Sequence, residues 1–149
     1  MSSDAITLKP TRPAPRPDEA SQAFFDGLRR GELLVQQCES CAMHQLARSR
    51  CLRCDSAALK WVPASGRATL HAFATVCANP GPEFNEGRPY NIAIVALHEG
   101  PQIYANVIHC DSDHLRIGMP LTVVMSPIDG GEVVPVFEPE SGKPPLKDR

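Results

Sequence analysis

Apolar positions change their period along this chain, and each change marks a different kind of element. Over Ala20 to Arg30, the residues Ala20, Phe24 and Leu28 recur at a spacing of four, which places them on one face of a helix. Asp18 is the expected N-cap, Glu19 suits the first turn, and Arg29, Arg30 and Gly31 suit a helix C-terminus. Phe24 and Phe25 side by side are too apolar to lie in water. They pack on a neighbouring element or form a candidate partner interface. Gly31 to Gln37 and Leu59 to Val62 read as short strands, with Trp61, the single tryptophan, set to cover one side of the small module between them.

From Gly66 onward the pattern is strands punctuated by turns. The candidates are Gly66 to Ala78, Tyr90 to His98, Gln102 to His109, Leu121 to Ser126 and Val133 to Glu138. His98-Glu99-Gly100-Pro101 and Pro127-Ile128-Asp129-Gly130-Gly131 supply hairpin loops. The first strand places Ala68, Leu70, Ala72, Ala74 and Val76 on one face, with Phe73 and Cys77 on the other. Two partly apolar faces suit a bent strand shared around a barrel. Five strands in this order, with room for a helix over Asp111 to Ile117, predict an OB-fold.

The fold class is therefore mostly β: an N-terminal helix, a cysteine-rich ribbon and a five-stranded OB-fold barrel. The expected divisions are a Pro-rich arm over 1–17, helix and lead-in strand over 18–35, ribbon over 36–65, OB-fold over 66–139 and a tail over 140–149. In the arm, Pro10, Pro13, Pro15 and Pro17 among Lys9, Arg12 and Arg16 favour polyproline II, either frayed or wrapped on a partner.

Composition narrows the functional classes. A formal net charge of -2 and 5% aromatic residues do not supply the basic groove and stacking platforms expected of a nucleic-acid OB-fold. No apolar run reaches the length of a membrane span, and the first residues lack the apolar core of a signal peptide. The expected compartment is the cytoplasm.

The chemistry concentrates in two C-x-x-C pairs, Cys38/Cys41 and Cys51/Cys54, separated by nine residues. Each pair brings two thiolates from one tight turn toward a single cation, and together they complete a tetrahedral set suited to Zn²⁺. Iron is compatible with the same ligands, and sequence does not choose between them. Four protein ligands leave no open position for water or substrate, so the metal is structural. An independent zinc hydrolase needs such a position.

The order of an N-terminal Phe-rich helix, GELLVQQCESC, CLRC, a Trp, SGRATL, PYNIAIVALHEG, IGMPLTVV and VPVFEP resembles the DUF35 family over about residues 10 to 139. That resemblance implies a rubredoxin-like zinc ribbon before an acyl-CoA-associated OB-fold, with Cys38, Cys41, Cys51 and Cys54 as metal ligands. It also implies a non-catalytic accessory subunit of a thiolase-superfamily enzyme, a β-ketothiolase or retro-aldolase acting on acyl-CoA thioesters. Relatives place prolines and an arginine before the second knuckle, where this chain has Leu46-Ala47-Arg48-Ser49-Arg50.

Arg48, Arg50 and Arg53 around that knuckle are candidates for CoA phosphates, or they offset the charge of the thiolates. The stretch Asn79 to Pro89 is long for a hairpin connection, so Phe84, Arg88 and Tyr90 are candidate partner contacts, unless the loop is simply mobile. His44 between the knuckles is not needed as a ligand. His71, His98 and His109 fall within or at the ends of strands. His114 follows Asp111 and Asp113 without a neighbouring nucleophile. Cys77 and Cys110 read as inert thiols. No residue is therefore assigned as catalytic. The competing reading is a stand-alone module binding acyl-CoA or, less in keeping with the composition, single-stranded nucleic acid.

Overall fold

The computed structural model describes residues 15–76, 90–128 and 132–140. Helix α1 (Gln22–Arg29) begins later than the expected start. Asp18 caps a preceding turn instead: its Oδ1 accepts from the Ser21 amide at 2.9 Å and from the Ser21 hydroxyl at 2.7 Å. Ala20 consequently lies outside the helix and is exposed, while Gly27 and Leu28 are buried. Gly27 has no room for a side chain, because a Cβ there would stand 2.8 Å from the Leu34 side chain.

The ribbon is a three-stranded antiparallel sheet in the order β2-β1-β3, formed by β1 (Leu34–Cys38), β2 (His44–Gln45) and β3 (Leu59–Pro63). β1 is central, and its alternation puts Leu34, Gln36 and Cys38 on one face. Trp61 sits opposite Gln36 in the β1–β3 register and is half-buried.

The second sheet has five antiparallel-paired strands in the order β6-β5-β4-β7-β8. They are β4 (Arg67–Val76), β5 (Tyr90–Leu97), β6 (Gln102–Ala105), β7 (Pro120–Pro127) and β8 (Val133–Pro139). The sheet curls until its edges meet at a parallel bridge between Val107 and Phe137. There the Ile108 amide donates to the Phe137 carbonyl at 2.8 Å, and the Phe137 amide donates to the Asn106 carbonyl at 3.0 Å. Closure in this way removes the unpaired edges of an open sheet. β6 is shorter than the sequence pattern predicts because the chain leaves β5 after Ala105 to build this seam. The expected helix over Asp111 to Ile117 is a single 3-10 turn, Ser112–His114.

β4 does not keep one face along its length. Leu70 pairs with Val95 and Ala72 with Ile94, so His71 is an extra, bulged residue. A bulge exchanges the faces beyond it. Ala68 and Leu70 are buried before it, whereas after it Phe73 packs against the core and Ala74 is exposed. The expected apolar face from Ala68 to Val76 is thus interrupted at His71.

One core joins the two sheets. Leu28 of α1, Leu33 and Val35 pack with Leu70, Val95, Leu121 and Phe137 of the barrel. The Ala64 amide reaches the Leu33 carbonyl at 2.7 Å, stitching the exit of the ribbon to its entrance. Among the described residues no helix is long and apolar enough to cross a membrane.

Candidate functional site

The two knuckles repeat one local device. In the first, the Ser40 and Cys41 amides approach the Cys38 sulfur at 3.3 and 3.4 Å; in the second, the Arg53 and Cys54 amides approach the Cys51 sulfur at 3.3 and 3.5 Å. The next residue closes each turn, with Ala42 donating to the Cys38 carbonyl and Asp55 to the Cys51 carbonyl, both at 2.9 Å. Ala42 and Asp55 hold left-handed backbones with φ of 67° and 63°. Such residues carry a steric cost of roughly 1–2 kcal/mol each, which the turn must offset.

The four sulfurs converge within 4.8 Å of one another, and Cys38–Cys54 and Cys41–Cys51 are each 3.6 Å apart across the knuckles. A tetrahedron with Zn–S bonds of about 2.3 Å has sulfur–sulfur edges of about 3.8 Å, so the set fits zinc with little adjustment. Cys38 and Cys51 are buried, Cys41 is intermediate and Cys54 is exposed.

The thiols themselves favour a cation. The Cys41 amide, aided by that of Ser40, draws the Cys38 thiol down from 9.0 to about 6. The Cys54 amide and then that of Arg53 lower Cys51 in the same way. At Cys54 the Ser56 amide favours the thiolate, but the Cys38, Cys41 and Cys51 sulfurs and burial outweigh it and push the group up to about 12. Four negative sulfurs this close repel one another, and a divalent ion at their centre removes the conflict. When bound, zinc supplies cross-linking and charge neutralisation, with all four positions taken by Cys38, Cys41, Cys51 and Cys54.

The arginines divide into two kinds. Arg50 is engaged by Asp55, its Nε donating to the carbonyl at 2.9 Å and to Oδ1 at 3.2 Å. Arg48 and Arg53 instead border a groove of about 540 Å³ between the second knuckle and the β5–β6 hairpin, together with His44, Leu52, Glu99 and Pro101. Among the described residues neither Arg48 nor Arg53 has an ion pair. Glu99 accepts from the Ser65 amide at 2.8 Å through Oε2, while its Oε1 is buried without a partner among the described residues.

A second groove, about 590 Å³ and mostly apolar, runs between α1, the segment at Leu46 and Ala47, β6 and β8. Phe24 and Phe25 line it, stacked edge to face with centroids 5.2 Å apart, and Tyr104, 78% exposed, stands on its rim. Phe24 and Phe25 thus pack partly on the core while keeping a face toward this groove. Tyr90 is buried at 8% exposure, so it belongs to the barrel wall and not to an exposed contact. Phe84, Arg88 and Cys77 lie outside the described residues. His114 stands 3.9 Å from Asp111 at the surface, and the half-buried Cys110 thiol is pushed up by burial and then by Asp111.

Sequence reasoning passed over three buried polar residues. Gln36 and Gln45 meet beneath the segment joining the knuckles, with Nε2 of Gln45 donating to Oε1 of Gln36 at 3.0 Å. Asn91, fully buried, accepts from the Val107 amide at 2.8 Å and donates to the Val107 carbonyl at 2.9 Å. Parity was the available signal: Gln36 shares a face with Cys38, and Asn91 shares one with Ala93, Val95 and Leu97.

Known proteins share this arrangement. Residues 25–60 match the ChsH2 rubredoxin-like zinc ribbon domain, and residues 61–126 match the ChsH2 C-terminal OB-fold domain. A solved Ltp2-ChsH2(DUF35) aldolase chain superposes with a TM-score of 0.76 at 26% identity, covering 84% of this chain and 98% of that one. A DUF35 protein of unknown function from Sulfolobus solfataricus shares the fold, with a TM-score of 0.60 at 15% identity over 82% of this chain and 86% of its own. A probable enoyl-CoA hydratase alpha subunit from Thermomonospora curvata is 27% identical over 88% of this chain, which spans only 41% of that relative's length. A DUF35 domain-containing scaffold protein from Methanothermobacter thermautotrophicus is 28% identical over 50% of this chain and 67% of its own. With a rubredoxin-like ribbon, a four-cysteine set suited to zinc and a closed OB barrel in this order, the chain belongs to the DUF35 family.

Proposed function

We propose that this protein is a non-catalytic accessory subunit of a thiolase-superfamily enzyme, a β-ketothiolase or retro-aldolase that acts on acyl-CoA thioesters in the cytoplasm. The observation that carries the reading is the likeness to the aldolase-associated DUF35 chain, which extends through ribbon and barrel alike and covers 98% of that chain. The metal set supports it, because four sulfur ligands leave no position for substrate. The ribbon then serves as a rigid docking element, and the reactive groups belong to the partner.

Two surfaces suit the two duties of such a subunit. The apolar groove bearing Phe24, Phe25 and Tyr104 is the proposed contact with the catalytic subunit. The groove flanked by Arg48 and Arg53 is the proposed place for CoA phosphates, whereas Arg50, already paired with Asp55, is a weaker candidate. Co-expression with a thiolase-like or aldolase partner tests the role. A stable complex whose acyl-CoA cleavage falls when this chain is withheld is the expected result. Full cleavage activity in the isolated chain, or a partner indifferent to it, overturns the proposal. Calorimetric titration of CoA into Arg48→Ala and Arg53→Ala variants of that complex tests the phosphate contact separately.

A further inference from the structure

β2 is only two residues long, so β1 has no neighbouring strand beyond Gln45 on that side. The chain that follows, Leu46 to Arg50, must nevertheless deliver Cys51 to the metal set. Gln36 and Gln45 lie opposite each other in register and are buried to 6% and 3% exposure. Burying two amides this deeply is unfavourable unless their polar atoms are matched. Here they are matched almost entirely by the backbone of the inter-knuckle segment. Gln36 Oε1 accepts from the Arg48 amide at 3.0 Å and its Nε2 donates to the Arg48 carbonyl at 3.0 Å. Gln45 Nε2 donates to the Arg50 carbonyl at 3.2 Å, and its Oε1 accepts from the Leu52 amide at 2.9 Å.

The groups held belong to Arg48, Arg50 and Leu52, every second residue, which is the spacing at which a neighbouring strand presents its own hydrogen-bonding groups. We propose that Gln36 and Gln45 act as positioning residues, a two-amide clamp standing in for the missing strand. The clamp sets the second knuckle against the first and fixes the wall of the arginine-lined groove. Cys51 lies between two clamped residues, so its sulfur is placed before metal arrives. Arg48 is clamped at both its amide and its carbonyl, so its side chain leaves the groove wall from a fixed origin. The clamp therefore links metal retention to the shape of the groove. Groups that orient metal ligands from outside the coordination sphere commonly change metal affinity by about 10–100-fold.

The test uses the full zinc-loaded chain. In Gln36→Leu and Gln45→Leu, zinc release to a chromogenic chelator is expected to accelerate by about tenfold or more. Hydrogen exchange at the Arg48 and Leu52 amides should rise, while the barrel's thermal transition stays in place. Cobalt-loaded variants should keep the sulfur-to-metal charge-transfer band of a four-thiolate site, which separates mispositioning from loss of a ligand. Gln36→Glu keeps the acceptor for Arg48 and Gln45 but sets a second acceptor oxygen against the Arg48 carbonyl in place of the donor, so its release should also be faster than wild type. If the Leu variants do not load metal, release from Gln36→Glu several-fold faster than wild type, with raised exchange at the Arg48 amide, still supports the clamp. Release within about twofold of wild type in the Leu variants, or in Gln36→Glu where they do not load, overturns it, as do unchanged amide exchange rates.

Discussion

The ribbon and the barrel are both antiparallel β structures, yet they are held by opposite means. The ribbon gathers Cys38, Cys41, Cys51 and Cys54 from one short stretch of chain and buries few large side chains around them. The barrel pairs strands from β4 to β8 around Leu70, Val95, Val107, Leu121 and Phe137, each nearly inaccessible to solvent. Small elements cannot remove enough apolar surface from water to offset chain entropy, so the knuckle end of the ribbon depends on a cross-link, whereas its other end, at Leu33 and Val35, shares the barrel's core. The division of labour follows from this. A metal-fixed ribbon keeps its shape while exposing Leu52, Arg48 and Arg53, whereas the barrel can expose its outer wall because its inner wall is secure.

The largest expected effect breaks that comparison on the ribbon side. Removing zinc with a strong chelator, or replacing Cys51 by Ser, should abolish stoichiometric metal binding and raise amide exchange throughout β1, β2 and both knuckles. Structural zinc sites commonly supply most of the folding free energy of such modules. β5 and β7 should keep their protection, because their neighbours and core contacts do not involve the knuckles. Metal analysis alongside hydrogen exchange checks both halves of the statement. Simultaneous loss of protection in the barrel would show the two regions to be one cooperative unit.

A second substitution tests the barrel's own weak point. Asn91 fills a core position, but its amide serves as the hydrogen-bond partner of both polar groups of Val107 at the seam. Asn91→Leu is close in size and leaves those groups unmatched in the interior. A buried unsatisfied group costs about 1–3 kcal/mol, so roughly 3 kcal/mol of stability should be lost, read by urea denaturation of the zinc-loaded protein. Zinc release should be unchanged. This would sharpen the contrast: the ribbon is tied by sulfur, and the barrel is tied at its seam by carboxamide hydrogen bonds from Asn91 and Asn106.

What was legible in the sequence follows the same division. Both knuckles were readable because their ligands repeat within a few residues and each turn is satisfied locally. The hairpin at His98 to Pro101 was readable for the same reason, and Gly100 there takes a φ of 121°. Non-local features were not. The bulge at His71 was hidden because Ala68, Ala72 and Ala74 are small and fit either face, so alternation alone does not fix their direction. The early end of β6 depends on Val107 meeting Phe137, thirty residues away, and nothing near Ala105 announces it. Only parity with Cys38 separated Gln36 from Gln37, and its partner Gln45 emerged once β2 was placed across from it. Of the candidate site, the cysteines were legible, whereas the separation of Arg50 from Arg48 and Arg53 needed Asp55 and the β5–β6 hairpin in position.

A smaller effect is expected where the ribbon's exit becomes the barrel's first strand. Gly66 has a φ of 84°, and a Cβ built on it would lie 2.8 Å from Cγ1 of Val123. Its carbonyl also accepts from the Val123 amide at 2.9 Å, so the backbone cannot move away freely. Gly66→Ala combines the left-handed penalty with a displaced Val123 and should cost about 2 kcal/mol. The thermal midpoint of the barrel should fall with metal content unaltered. An unchanged midpoint would mean that the join between the two regions is more compliant than the β4–β7 pairing implies.

The smallest effect concerns what fastens α1 to the barrel. Nη2 of Arg29 donates to both carboxylate oxygens of Glu132, at 2.9 and 2.8 Å, while its Nη1 donates to Asp26 at 2.7 Å. The geometry is good, but the Arg29 side chain is 39% exposed and the pair is open to solvent screening. Exposed pairs of this kind contribute up to about 1 kcal/mol, and Asp26 offers the guanidinium a second partner if Glu132 is removed. Leu28, one residue earlier and 1% exposed, instead enters the core shared by helix, ribbon and barrel. Its truncation to Ala should cost about 2–5 kcal/mol. Arg29→Ala is therefore expected to cost less than about 1 kcal/mol and to lose its effect in high salt, while Leu28→Ala is insensitive to salt. Urea titrations of both variants at low and high ionic strength separate the two. A large, salt-independent loss in Arg29→Ala would mean that the helix is held by its charges, and the contrast between a cross-linked ribbon and a core-bound barrel would need a third, electrostatic joint.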